Sequence, residues 1–243
     1  MKEQIISKLY EMKLIGMAKS YEEKSGKPDY RDLSFEEFLS MLVDDEHIYR
    51  RNQKQARLLH LAKLKYPAAC FEDIDYRTSR GINKSKLVSL QSEEWFQAHQ
   101  NVIITGPTGI GKSYIGCAFG NKACRNGHST LYFRWSRLLS NIHAARGDGT
   151  YLKYLNKLCK VKLLVIDDFG MNAMNDTDRK DLMEVIEDRY NTGSTVITSQ
   201  LPAKQWHGFI GDPTIADAVC DRLFHAAHII EMKGASMRKK QKD

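Results

Sequence analysis

The chain has 243 residues and a formal net charge of +7, enough length for one main hydrophobic core with a smaller appendage. No run approaches the roughly 20 apolar residues of a membrane span, and the lysine-studded start MKEQIISKLYEMKLIGMAKS lacks the features of a secretory signal, so a cytoplasmic protein without a membrane partner is expected. Five cysteines with no CxxC pair and no histidine at zinc-ligand spacing predict reduced thiols and no metal or disulfide site built from them.

Residues 1–66 read as a small N-terminal all-α domain. Ile5, Leu9, Met12 and Ile15 recur at helical spacing, and SGKPDYRD then forms a loop. Ser34 to Glu37, SFEE, has the spacing of a capping box ahead of Phe38, Leu39, Leu42 and Val43. This second helix is predicted to reach about Tyr66, where Pro67 stops it. Its first half is acidic and apolar. Its second half carries Arg50, Arg51, Lys54 and Arg57 with no acid between His47 and Leu64. Residues 67–100 read as a basic connector, with Arg77, Arg80, Lys84 and Lys86 in another acid-free cluster.

From there the texture changes to short apolar strands alternating with helical stretches: NVIITG (101–106), STLYFRW (129–135), KLLVIDDF (162–169), STVITSQ (194–200) and HIIEM (228–232). Such runs predict, over residues 101–243, an α/β domain with a five-stranded parallel sheet covered by helices on both faces. Between Trp95 and Gly147 there is no acidic residue, while Lys112, Lys122, Arg125, Arg134, Arg137 and Arg146 all lie there; KGASMRKKQK closes the chain. Four basic clusters in one modest chain point to a polyanionic partner.

Gly106, Pro107, Thr108, Gly109, Ile110, Gly111, Lys112 and Ser113 match G-x-x-x-x-G-K-[ST] at every fixed position, between an apolar strand and a helix that opens with Ser113 and Tyr114. Glycines let several N–H groups converge on phosphate oxygens, and the helix N-terminus adds its positive dipole end. Lys112 is expected to reach the terminal phosphates and the Ser113 hydroxyl to ligate magnesium. The strand LLVIDDFG supplies the other half of a P-loop ATPase site. Asp167 is placed to hold magnesium, through water or directly, and Asp168 to polarise the attacking water. Asp168-Phe169-Gly170 spells the kinase DFG, but no HRD-type loop accompanies it. Asp167-x-x-Gly170 fits a GTPase DxxG, but no NKxD follows, so adenine is the expected base and ATP with Mg²⁺ the expected cofactors. At the end of STVITSQ, Ser199 and Gln200, with Thr198 behind them, are candidates for a sensor of the γ-phosphate or lytic water.

HQNVIITGPTGIGKS, ARGDGTY, VKLLVIDDFG, ITSQLPAKQWH, GDPTIADAVCDRLFHAAHIIEMKG and SMRK, together with the basic helical N-terminus, resemble AAA+ ATPases of the IstB and DnaC type over nearly the whole chain. The resemblance is nearer to the IstB helpers of two-gene insertion sequences than to helicase loaders. It implies that Arg222, in CDRLFH, is an arginine finger acting on a neighbouring subunit's ATP, or else a local ion-pair partner of Asp221 or Asp217. It implies that Arg238, in SMRK, contacts nucleotide in its own subunit. It further implies that the element after the second strand, with Arg134, Arg137 and Arg146, faces nucleic acid. Too few residues follow Met232 to build the usual C-terminal helical lid, so a site completed by a neighbour in a homo-oligomer is expected. Asp168 stands where such ATPases place the longer Glu, which predicts slow turnover. The combined expectation is an ATP-dependent regulator that binds duplex DNA without sequence preference and recruits the transposase of its element. A helicase loader and a plain phosphotransferase are the competing readings, and the latter leaves Arg222 and the basic clusters unexplained.

Overall fold

The computed structural model describes residues 1–76 and 80–237, and the chain divides into two compact units, Met1–Arg57 and Leu58–Asp243. In the first unit, α1 (Lys2–Glu11) and α2 (Ile15–Lys24) interrupt what the apolar spacing reads as continuous helix. The cause is local: Lys13 adopts a left-handed φ of 59°, and Leu14 N–H donates to Leu9 O at 2.8 Å, the six-to-one bond of a Schellman stop. The third helix, α3 (Phe35–Ala62), begins at the predicted capping box, with Ser34 N–H donating to Glu37 Oε2 at 2.8 Å and Glu37 N–H to Ser34 Oγ at 3.3 Å. It ends four residues short of Tyr66, because Lys63 turns left-handed at φ 51° and Leu64 is buried.

In the second unit, Ala69, Phe71 and Ile74 are buried, as are residues of two short helices, α4 (Lys84–Ser89) and α5 (Glu94–Gln97). The stretch read as a connector thus supplies side chains to the core, an outcome its basic surface residues conceal. The chain then alternates: β1 (Val102–Thr105), α6 (Lys112–Arg125), β2 (Thr130–Arg134), α7 (Trp135–Gly147), α8 (Tyr151–Lys160), β3 (Leu163–Phe169), α9 (Asp176–Arg189), β4 (Ser194–Ser199), α10 (Trp206–Ile210), α11 (Pro213–Phe224) and β5 (His228–Glu231). The five strands lie parallel in the order β2-β3-β4-β1-β5. One core cluster joins α6 to Leu58, Leu64, Phe71, Trp95 and the side chains Val102, Ile104, Tyr132 and Val165 of the sheet. The other holds Ile103, Leu164, Ile166 and Ile197 against α7 to α11. Strands buried on both faces read as unbroken apolar runs, as β1 and β3 do, whereas the edge strands β2 and β5 are partly exposed. Among the described residues no helix is long and apolar enough to cross a membrane.

The sheet's amino edge is held by one buried cation. Arg189, at the end of α9, donates from Nη1 to Leu158 O and Val161 O at 2.8 and 2.9 Å, from Nε to Thr195 Oγ1 at 3.1 Å, and from Nη2 to Ser194 O. Burial pulls its pKa down to about 10. Arg189→Met keeps the apolar stem but leaves those buried acceptors unpaired. It is expected to destabilise the protein by about 3 kcal/mol, measurable as a lower urea midpoint with an unchanged slope.

Candidate nucleotide site

The phosphate loop leaves β1 at its carboxyl end and enters α6. Gly106, at φ 145°, and Gly109, at φ 82°, cannot be replaced without collision: a Cβ would lie 2.3 Å from Met232 O at the first and 2.1 Å from Ser236 Oγ at the second. The segment after β5 therefore packs against the loop, and Met237 N–H donates to Gly109 O at 2.9 Å. Lys112 is buried, with Nζ donating to the loop's own Pro107 O at 2.7 Å. Lys112, Ser113, Thr108, Gly109, Gly111 and Tyr114 line an open cleft of about 660 Å³ that also takes in Lys65, Tyr66, Arg134, Asp168 and Gln200.

Asp167, at the end of the buried stretch of β3, has no exposed surface. Three hydroxyls donate to its carboxylate: Ser113 Oγ to Oδ1 at 2.8 Å, Thr198 Oγ1 to Oδ1, and Tyr132 OH to Oδ2 at 2.6 Å. A carboxylate and a serine hydroxyl in contact are the hard oxygen donors that suit magnesium. Thr198 Oγ1 also accepts from Asp168 N–H at 3.1 Å. Asp168 lies where the β3–β4 register shifts between Ile166 and Phe169 and takes a left-handed φ of 58°. The bulge turns its carboxylate into the cleft, where Arg134 Nη2 donates to Oδ2 at 3.0 Å. Gln200 sits on the rim, its Oε1 accepting from Thr108 Oγ1 at 2.7 Å. Ser199 turns away, its buried hydroxyl donating to Phe169 O at 2.7 Å. Of the two sensor candidates, only Gln200 faces the loop.

Tyr132 was not singled out in the sequence, where it is one of several aromatic residues in an apolar strand. Its signal was the alternation of β2, which puts Tyr132 and Arg134 on one face, opposite Val165 and Asp167 in the register with β3. Burial and the bond to Asp167 push the phenol far above its ordinary pKa, so it stays a donor at all working pH values.

Arg222 lies at the other end of the sheet. Its backbone carbonyl accepts from Asn101 Nδ2, just before β1, and five residues of strand put the start of the phosphate loop about 16 Å away. Its guanidinium pairs with Glu187 Oε2 at 2.6 Å, so the local partner is neither Asp221 nor Asp217. Arg238 and Arg77 lie outside the described residues. The expected DNA contacts divide. Arg51, Lys54, Arg57, Lys84 and Arg137 are exposed, and Arg50 is exposed while paired with Glu46. Arg80 corrects the expectation: only 6% exposed, it donates to Ile110 O in the phosphate loop and to Asp75 O. Arg134 is engaged by Asp168, and Arg146 is bound to the buried Asp181 and stacked 3.7 Å from the Tyr151 ring centroid.

Comparison with known proteins agrees with this geometry. A family model described as IstB-like ATP binding protein matches residues 7–243. The chain belongs to this family. The insertion sequence ATP-binding protein y4pL of Sinorhizobium fredii is 45% identical over 237 residues, covering 98% of this chain and 96% of that protein. The insertion sequence IS1162 ATP-binding protein of Pseudomonas fluorescens is 42% identical over 203 residues, 84% of this chain and 88% of its own. Among solved structures, DnaI superposes with a TM-score of 0.59 at 20% identity, over 73% of this chain and 93% of that one. The replication initiator DnaA bound to AMPPCP and single-stranded DNA gives 0.58 at 16% identity, over 71% and 52%. The structural likenesses establish the AAA+ fold. This IstB-family chain is thus an ATP-binding P-loop ATPase.

Because Tyr132 fixes the carboxylate that faces Ser113, Tyr132→Phe is expected to raise the magnesium concentration for half-maximal ATP hydrolysis about tenfold, the usual cost of losing such a supporting bond. A magnesium titration of the hydrolysis rate at saturating ATP checks it.

Proposed function

We propose that this protein is the ATP-driven helper of an insertion sequence. ATP assembles it into an oligomer with sites shared between subunits, the oligomer grips duplex DNA without regard to sequence, and it recruits the transposase of the same element. Hydrolysis is the slow step that releases it. The observation that carries the assembly is Arg222. About 16 Å of strand separates it from its own phosphate loop, too far for one side chain to span, so its role in hydrolysis is on a neighbour's γ-phosphate, where a cation offsets developing charge. The transposition context is supported by relatives of matching length that are named insertion sequence ATP-binding proteins.

Within one subunit, ATP lies along the loop with Lys112 on the terminal phosphates and Ser113 and Asp167 holding magnesium. Gln200 contacts the γ-phosphate or the lytic water. Magnesium held there would neutralise phosphate charge, and Asp168 accepts a proton from the water. Arg134 holds the Asp168 carboxylate, so the base is occupied until that pair opens. The shorter reach of Asp and this pairing both favour slow turnover, as a timed switch requires.

Arginine finger and local ion pair make different predictions. Arg222→Ala is expected to cut hydrolysis about 10³-fold with ATP binding intact, and to abolish ATP-dependent binding of an arbitrary duplex in an anisotropy assay. Lys112→Ala abolishes that binding at the nucleotide step. Glu187→Ala, which removes only the local partner, retains hydrolysis; equal losses in the Glu187 and Arg222 variants would refute the trans role. Mixing Arg222→Ala with Asp168→Asn subunits restores part of the activity, since each supplies what the other lacks.

Opening the Asp168 pair is a separate test. Arg134→Ala is expected to raise DNA-free hydrolysis severalfold, and Asp168→Asn in that background to remove the gain. A slower Arg134→Ala enzyme without DNA would show that the arginine serves the phosphates directly.

A further inference from the structure

From the end of β2 to the start of β3, three arginines and histidines are already committed: Arg134 to Asp168, His143 to Asp178 and Arg146 to Asp181. Three lysines of α8 are not. Lys153, Lys157 and Lys160 are all exposed, and among the described residues none of them is in an ion pair or side-chain hydrogen bond. The helix contains no acid. At 3.6 residues per turn the three fall within an arc of roughly 60°, opposite the buried Leu155 and Leu158, and span about 10 Å of helix axis.

A solvated helix face accounts for part of this. Cations in a last turn suit the negative end of the helix dipole, which covers Lys157 and Lys160. It does not cover Lys153, which sits in the first turn, where the dipole favours an acid and no acid stands. A charge held against the local field, in line with two others and without a counter-ion among the described residues, is poised for a counter-ion from outside.

We infer that the exposed stripe Lys153–Lys157–Lys160 on α8 is a phosphate-binding surface for one strand of duplex DNA. The assignment rests on the DNA-binding reading above and moves its centre from Arg134 and Arg146, which the fold has occupied, to three lysines the sequence motifs did not mark. The occupant is a polyanion with closely spaced charges: one strand of a duplex presents a negative charge per about 3.4 Å of axis, so a row of about 10 Å of ammonium groups meets about three phosphates without reading bases.

The test is the salt dependence of duplex binding by the full chain with ATP and magnesium, measured by anisotropy on two unrelated sequences. The triple variant Lys153→Gln, Lys157→Gln, Lys160→Gln is expected to bind both duplexes more weakly, with a plot of log K against log salt shallower by about 2.7 per protomer, near 0.9 for each lost phosphate contact. ATP binding without DNA stays at the wild-type level, because no residue of the stripe lines the nucleotide cleft. The corresponding triple arginine variant keeps the wild-type slope. A wild-type protein that binds DNA, beside a glutamine variant with an unchanged slope, would overturn the stripe and leave the DNA reading standing. A wild-type protein that binds no duplex at any salt would overturn both.

Discussion

One buried carboxylate organises the site. Asp167 has no solvent contact, so its charge must be answered inside the protein, and an unanswered charge there is expensive. The answer comes from three elements at once: Ser113 at the start of α6, Tyr132 on β2 and Thr198 on β4. Each of these bonds also sets a distance between elements. The phosphate loop is therefore seated on the sheet by the group that is meant to serve its ligand.

The same bonds tie chemistry to mechanics. Tyr132 and Arg134 lie on one face of β2 and hold Asp167 and Asp168 respectively. Arg134 is also the residue from which α7 departs, with no intervening loop. The start of α7 is thus joined to both carboxylates through a single strand.

Much of this was legible in the sequence. The phosphate loop could be found because backbone geometry and close approach both require glycine at Gly106 and Gly109. β1 and β3 could be found because burial on both faces makes them continuously apolar. Three things were not legible. The stop at Lys13 depends on a left-handed turn at a residue type that seldom adopts one. The fate of Arg80, Arg134 and Arg146 depended on carboxylates and carbonyls that no spacing brings together. Tyr132 was hidden because a tyrosine in a buried strand looks like core until its neighbour across the sheet is known to be charged. An acid-free stretch identifies cations without saying which are spoken for.

The conformation of Asp168 has a consequence for how such a timer is tuned. A left-handed φ of 58° outside glycine is tolerated best by Asp and Asn, so the bulge and the shorter carboxylate suit each other. A Glu there would reach further toward the water but sit less comfortably on the backbone. Lengthening the side chain and relaxing the bulge would have to change together, and either alone trades catalysis against the seating of β3 on β4. If Asp168 is the base, as proposed above, the pace of hydrolysis would be tied to one backbone kink, adjustable over generations without any alteration to the phosphate loop.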